Sequence, residues 1–261
     1  MTKTIFVTGG TDGWSDDVAL ALADAGHSVY VGKGQASFEE ERVDLGPGGG
    51  CRGRAAWAKV RTVAFEAVDQ HSIAAAVRRI VTEAGGIDVV IHAASPVTLG
   101  PVEAFTPYQL SQVYDTAVLS AQRVTRAVLP LMRERRDGLL IWMGLGVEPG
   151  PAPFTGPGRA VRAALQQLAE SYAAELAAFG IDVTFVTYGP GHLLGTAPAP
   201  LQPGDSETAK AYHRDVANVL PPPAEQPANP TVHALKVAEC VSGIIDARKG
   251  ARPAHVALWP L

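Results

Sequence analysis

The sequence predicts an α/β protein in which a doubly wound parallel sheet has helices on both faces. Short apolar runs alternate along the chain with segments of helical period, which is typical of βαβ units. The 261 residues are 47% hydrophobic and 18% charged, enough for one domain with a sizeable core. A glycine pair also follows the first apolar run and precedes a helical segment. We therefore expect a single domain over residues 1–261.

Seven apolar runs have the length and composition of buried strands. They cover residues 4–7, 28–31, 62–65, 88–92, 139–143, 182–187 and 255–259. The sheet is therefore expected to have about seven strands.

Two long segments, residues 110–132 and 159–179, carry apolar residues at spacings of three and four. In the first segment the apolar positions are Leu110, Val113, Tyr114, Ala117, Val118, Ala121, Val124, Val128 and Leu131. In the second they are Val161, Ala164, Leu165, Leu168, Tyr172 and Leu176. Each pattern predicts a core helix with one buried face. Further helices are expected over residues 16–25, 207–219 and 233–245.

Two stretches lack this periodicity. Residues 46–54 are rich in glycine and predict a mobile surface loop. Residues 189–230 are dense in proline, which indicates either a lid over a pocket or a rigid surface excursion.

The formal net charge of −4 gives no reason to expect nucleic acid or an anionic membrane as a partner. Small molecules and proteins are the expected partners. No leader segment and no run of 18 apolar residues is present, so we predict a cytoplasmic protein. Cys51 and Cys240 lie far apart without the spacing of metal ligands, and no metal site is predicted.

The first strand runs into Thr8-Gly9-Gly10-Thr11-Asp12-Gly13-Trp14-Ser15, where glycines allow a tight turn toward a pyrophosphate. This stretch resembles the T-G-x-x-x-G-x-G motif of the short-chain dehydrogenase/reductase family, with Ser15 in place of the last glycine. The resemblance covers nearly the whole chain and implies a Rossmann-like fold. The cofactor-binding positions that it implies are Gly9, Asp12, Gly13, Trp14, Lys33, Glu66, Ala67, Ala93 and Ala94.

The second predicted strand ends near Lys33 and offers no carboxylate for a ribose hydroxyl. If a cofactor binds, Lys33 slightly favours NADP(H) over NAD(H), and the alternative is a solvated lysine.

Members of the family reduce a carbonyl group or oxidise an alcohol with a tyrosine, a lysine four residues later, a serine and an asparagine. Alignment on the resemblance places Gly158, Arg162, Leu145 and Ala117 at these positions. The four catalytic roles are thus vacant, and we expect the usual mechanism to be absent. Arg162 is suited to hold a ribose, phosphate or carboxylate, or is an ordinary ion-paired arginine.

Ligands of open α/β sheets bind beyond the carboxyl ends of the strands, so substitute acid–base groups are expected there. The candidates are Tyr188, His192 and Glu148. Three hypotheses remain open. The first is a catalytically degenerate subunit that pairs with an active relative. The second is a pocket reused for isomerase, lyase or cyclase chemistry, and the third is an NAD(P)-dependent oxidoreductase with a substitute proton donor. The resemblance also implies a homo- or hetero-oligomer formed through the two long helices or through the last helix and strand.

Overall fold

The seven strands lie in one parallel sheet, and the predicted fold class is confirmed. The computed structural model describes residues 2–9, 14–34, 59–93, 97–146, 153–188, 201–212 and 230–258. The strands are β1 (Thr4–Thr8), β2 (Ser28–Lys33), β3 (Val60–Ala64), β4 (Val89–His92), β5 (Gly138–Leu145), β6 (Ile181–Tyr188) and β7 (His255–Leu258). Their order across the sheet is β3-β2-β1-β4-β5-β6-β7.

Helices cover both faces of this sheet, because the side chains of each strand alternate between two apolar layers. The helices of the described residues are α1 (Trp14–Asp24), α2 (Gln70–Ala84), α3 (Pro107–Tyr114), α4 (Ser120–Arg135), α5 (Gly156–Leu176), α6 (Ser206–Ala211) and α7 (Pro230–Asp246). On one face Phe6 and Trp142 pack with α2, α4 and α5. On the other face Ile5 and Ile141 pack with α1 and α7.

The first long predicted helix is interrupted by a π-helical turn, Asp115–Leu119, between α3 and α4. This corrects the single buried face expected there: Leu110 and Tyr114 are 37% and 42% exposed. The reason is that a π turn adds a residue to the repeat and rotates the apolar stripe on one side of it. The second long helix continues as a 3₁₀ turn, Ala177–Phe179, close to its predicted end.

The remaining predictions fall partly outside the described residues. The glycine-rich stretch 46–54 lies wholly outside them, whereas residues 201–212 of the proline-rich stretch are described and contain α6. None of the helices described is long and apolar enough to cross a membrane.

The strand order defines a crevice at the carboxyl ends of β1 and β4. The chain proceeds outward from β1 through β2 to β3 and then crosses back to β4 beside β1. Such a reversal opens a ligand crevice beyond the carboxyl ends of the strands. Thr8 of β1 and His92 of β4 are in register at this point.

Candidate functional site

Gly9 and Ala93, the residues directly after β1 and β4, lie where the sequence predicts a cradle for a dinucleotide. Gly9 has φ 84, a left-handed conformation that glycine adopts without steric cost. The Ala93 amide donates to the Thr8 carbonyl at 3.1 Å, which joins the ends of the two strands. Helix α1 begins at Trp14, so its positive end lies toward the carboxyl end of β1. Pyrophosphate binding at this turn stays a prediction, and Asp12, Gly13 and Ala94 lie outside the described residues.

Lys33, at the end of β2, is neither solvated nor remote from other charges. Its Nζ lies 2.8 Å from both carboxylate oxygens of Asp16, and its side chain is 5% exposed. Burial raises the pKa of Asp16 above its ordinary value, although the Lys33 charge acts in the opposite direction. The ion pair thus occupies the space between the end of β2 and the first turn of α1.

Glu66 and Ala67, two of the predicted cofactor-binding positions, follow β3. The Glu66 amide donates to Ser72 Oγ at 2.9 Å. A Cβ atom on Gly34 would lie 3.3 Å from Glu66 Oε1. The carboxylate of Glu66 therefore lies against the backbone that leaves β2.

A narrow gap lies beneath the π turn, on the α4 and α5 face of the sheet, and it is too tight for a water molecule. Ala117, for which the family resemblance predicts the asparagine position, borders it. The lining residues are Thr8, His92, Ala117, Ser120, Ala121, Trp142, Met143 and Leu165.

His92 and Trp142 form a buried polar pair that sequence reasoning missed. His92 Nε2 lies 3.1 Å from Thr125 Oγ1, and the His92 and Trp142 rings are edge to face with centroids 4.9 Å apart. His92 Nδ1 and Trp142 Nε1 have no hydrogen-bond partner among the residues described. Burial lowers the pKa of His92 to about 3. The imidazole is therefore neutral at physiological pH, and the only local signal was a histidine at the end of an apolar strand.

The first turn of α5 packs tightly on residues 97–102. The Gly158 amide donates to Thr98 Oγ1 at 2.9 Å, and Thr98 is buried. A Cβ atom on Gly156 would lie 2.4 Å from Val102 Cγ2. Because Gly156 has no Cβ, the backbone of α5 comes close to the segment after β4.

Arg162 lies one turn further along α5. Its Nη1 donates to Gln166 Oε1 at 3.4 Å, and its buried Nε has no hydrogen-bond partner within the described chain. Burial, followed by the charge of Arg159, lowers the pKa of Arg162. A guanidinium nevertheless stays protonated and cannot act as a base.

Tyr188, a candidate acid–base group, pairs in register with Leu145 where β5 and β6 end. Its side chain is fully buried in the layer that packs on α1 and α7. Ala117 belongs to the opposite layer. The structure therefore does not bring Tyr188 into the gap beside Ala117, and its catalytic role stays a prediction. His192 and Glu148 lie outside the described residues.

The described part of the proline-rich stretch is fixed to the same region. Leu201 forms a parallel bridge with Thr98, and Gln109 donates to the Gln202 carbonyl at 2.9 Å. The Gly204 amide donates to Gln109 Oε1 at 2.7 Å. Residues 201–204 thus lie against the segment that holds the first turn of α5, and the choice between a lid and a rigid surface excursion stays a prediction.

Comparison with known proteins agrees with this architecture. A family model described as short chain dehydrogenase matches residues 3–196. A 3-ketodihydrosphingosine reductase of Bacteroides thetaiotaomicron is 27% identical over 238 residues, which are 91% of this chain and 76% of that protein.

Two solved structures share the fold. A short-chain dehydrogenase from Streptomyces avermitilis has a TM-score of 0.76 at 23% identity, covering 98% of this chain and 87% of its own. An alcohol dehydrogenase from the archaeon Thermococcus sibiricus, complexed with 5-hydroxy-NADP, has a TM-score of 0.70 at 16% identity, covering 99% of this chain and 96% of its own.

Proposed function

Because this chain belongs to the short chain dehydrogenase family, we propose that it binds a nicotinamide dinucleotide without carrying out the family's tyrosine-dependent redox step. In this proposal it is the catalytically silent subunit of an assembly. The observation that carries the proposal is the first turn of α5. Gly158 stands where the family has its tyrosine, and its amide is hydrogen-bonded to Thr98.

The chemistry supports this assignment. Carbonyl reduction needs a proton donor at the oxygen, and a positioned acid or base contributes about 10²–10⁴ in rate. Ala117, Leu145, Gly158 and Arg162 supply no group that gives up or takes a proton near neutral pH. His92 lines the same gap as Ala117, but with a pKa of about 3 it is not an imidazolium near neutral pH and so cannot act as the usual histidine acid.

A nicotinamide dinucleotide supplies the hydride in such reactions. This chain's own contribution is the cradle around Gly9, which fits a pyrophosphate. Binding and turnover are therefore separable properties of this protein.

We expect NADPH and NADH to bind saturably, as measured by the emission of the reduced nicotinamide. We expect no oxidation of either nucleotide above background with 3-ketodihydrosphingosine, the substrate in the name of the Bacteroides relative. That relative, assayed alongside, is the positive control. Turnover of about 1 s⁻¹ or faster would contradict the proposal, because this is the range of ordinary enzymes.

The same assay separates the two alternatives. Turnover that is lost in Tyr188→Phe or His192→Ala would support an oxidoreductase with a substitute donor. Conversion of a substrate without any change in nicotinamide absorbance would support isomerase or lyase chemistry in the reused pocket.

We propose that the second subunit binds at a groove of about 360 Å³ along α3, the π turn, α4 and α5. Tyr114 and Leu119 are exposed apolar residues within it, at 42% and 40%. Its lining residues are Tyr114, Val118, Leu119, Gln122, Leu168, Ser171, Tyr172 and Glu175. We place here the same helices of a second short-chain dehydrogenase subunit, either a copy of this chain or an active relative.

We expect the purified chain to sediment as a dimer or larger, and Leu119→Glu to shift it to the monomer. A glutamate in the groove would have to be desolvated when the second subunit binds. Val68→Glu, at a residue 50% exposed beyond β3, is the matched control and should leave the oligomer intact. A wild-type monomer from which no short-chain dehydrogenase partner is recovered on pull-down, or equal dissociation in both variants, would contradict this part of the proposal.

A further inference from the structure

The ion pair between Lys33 and Asp16 lies where the adenosine half of a dinucleotide would be selected. In open α/β sheets the ribose of that half lies near the end of β2, where its 2′ substituent meets a side chain. Lys33 is the last residue of β2, and Asp16 is in the first turn of α1. A role for this pair in nucleotide selection rests on the proposed dinucleotide binding.

The pair is closely matched and largely shielded from water. Both carboxylate oxygens of Asp16 accept from Lys33 Nζ at 2.8 Å, and the two side chains are 5% and 21% exposed. Asp16 is also favoured by the positive end of α1. The positive charge of Lys33 is therefore compensated within the chain before any ligand arrives.

We infer that Asp16 determines the nucleotide preference of this protein by holding the Lys33 ammonium, so that the chain binds NAD(H) at least as tightly as NADP(H). A 2′-phosphate would meet a neutralised pair in place of an uncompensated cation, and the Asp16 carboxylate repels it. A 2′-hydroxyl can instead donate to that carboxylate. The Glu66 carboxylate, which lies against Gly34, adds negative charge on the same side.

The preference that Lys33 suggests from sequence alone is thereby reversed. A lysine at the end of β2 favours NADP(H) only while its ammonium is available to a phosphate. Asp16, 17 residues earlier in the chain, removes that availability.

The test compares Asp16→Asn with wild type by calorimetric titration of NADH, NADPH, adenosine 5′-monophosphate and adenosine 2′,5′-bisphosphate. We expect Asp16→Asn to improve binding of NADPH about tenfold relative to NADH, and binding of adenosine 2′,5′-bisphosphate about tenfold relative to adenosine 5′-monophosphate. A tenfold change corresponds to one charge-assisted hydrogen bond. Asp24→Asn is the matched control on the same helix, because Asp24 pairs with Lys59 at 2.9 Å on the surface. Asp24→Asn should change neither the NADPH-to-NADH affinity ratio nor the bisphosphate-to-monophosphate affinity ratio.

A second variant makes the result independent of how well Asp16→Asn folds. Lys33→Gln removes the cation and leaves the Asp16 carboxylate uncompensated, so binding of NADPH should weaken about tenfold relative to NADH. Dinucleotide binding with an unchanged NADPH-to-NADH ratio in both variants would overturn the role of Asp16 alone. Wild-type protein that binds none of the four ligands would overturn the proposed nucleotide binding as well.

Discussion

Between pH 7 and pH 4.5 the free energy of unfolding is expected to fall by about 2 to 3 kcal/mol more in the wild-type protein than in His92→Asn. Burial holds the pKa of His92 at about 3 in the folded chain, against 6.5 for an ordinary histidine. As pH falls below 6.5, the His92 imidazole becomes protonated in the unfolded chain but stays neutral in the folded chain. The stability that the neutral imidazole provides is therefore complete above pH 6.5 and is lost progressively toward pH 3.

Urea unfolding followed at several pH values between 7 and 4.5 measures this difference. His92→Asn is the informative variant because asparagine does not titrate and is polar and close to histidine in size. His71→Asn is the control, since the His71 side chain is fully exposed. It should keep the wild-type pH dependence. Equal pH dependence in His92→Asn and wild type would show that His92 is not buried as a neutral group.

The strands were predictable from sequence because each is an apolar run buried on both faces. Ile5 and Val7 face one layer and Phe6 faces the other, so the run is apolar without interruption. The missed strand ends have a physical cause. β2 extends to Lys33 because the Asp16 carboxylate compensates the buried ammonium. The residues next to Lys33 in the sequence do not predict this ion pair.

The helices were predictable in extent but less so in orientation. Spacing alone placed Leu110 and Tyr114 on the buried face, and the π turn moved them to the surface. A hydrophobic pattern with a period of 3.6 residues does not predict a π turn, which contains one residue more than an α-helical turn.

The candidate site was predictable only as far as it follows the family pattern. The cradle at Gly9 and the four positions from Ala117 to Arg162 came from that pattern. The contacts of Thr98 with Gly158 and of His92 with Trp142 join residues 60 and 50 positions apart, as their numbers show. Such pairings arise from tertiary packing, which periodicity does not encode.

Arg252 joins the end of α7 to the start of β6, and Arg252→Ala is expected to lower the free energy of unfolding by about 3 kcal/mol. Its Nη1 pairs with Asp182 Oδ2 at 2.8 Å, and its Nε and Nη2 donate to the carbonyls of Ile244 and Ile245 at 3.1 and 3.2 Å. The side chain is 9% exposed, so alanine leaves a shielded carboxylate and two carbonyls without this donor.

Urea unfolding at neutral pH measures the loss. Arg79→Ala is the control, because its pair with Glu83 lies on the surface of α2, where water screens the two charges and the pair adds little to stability. Asp182 lies at the amino end of β6, whereas the crevice lies at the carboxyl ends of the strands. Arg252→Ala should therefore lose stability while the folded protein keeps its nucleotide affinity. A loss no larger than that of Arg79→Ala would mean that Arg252 does not secure this corner of the fold.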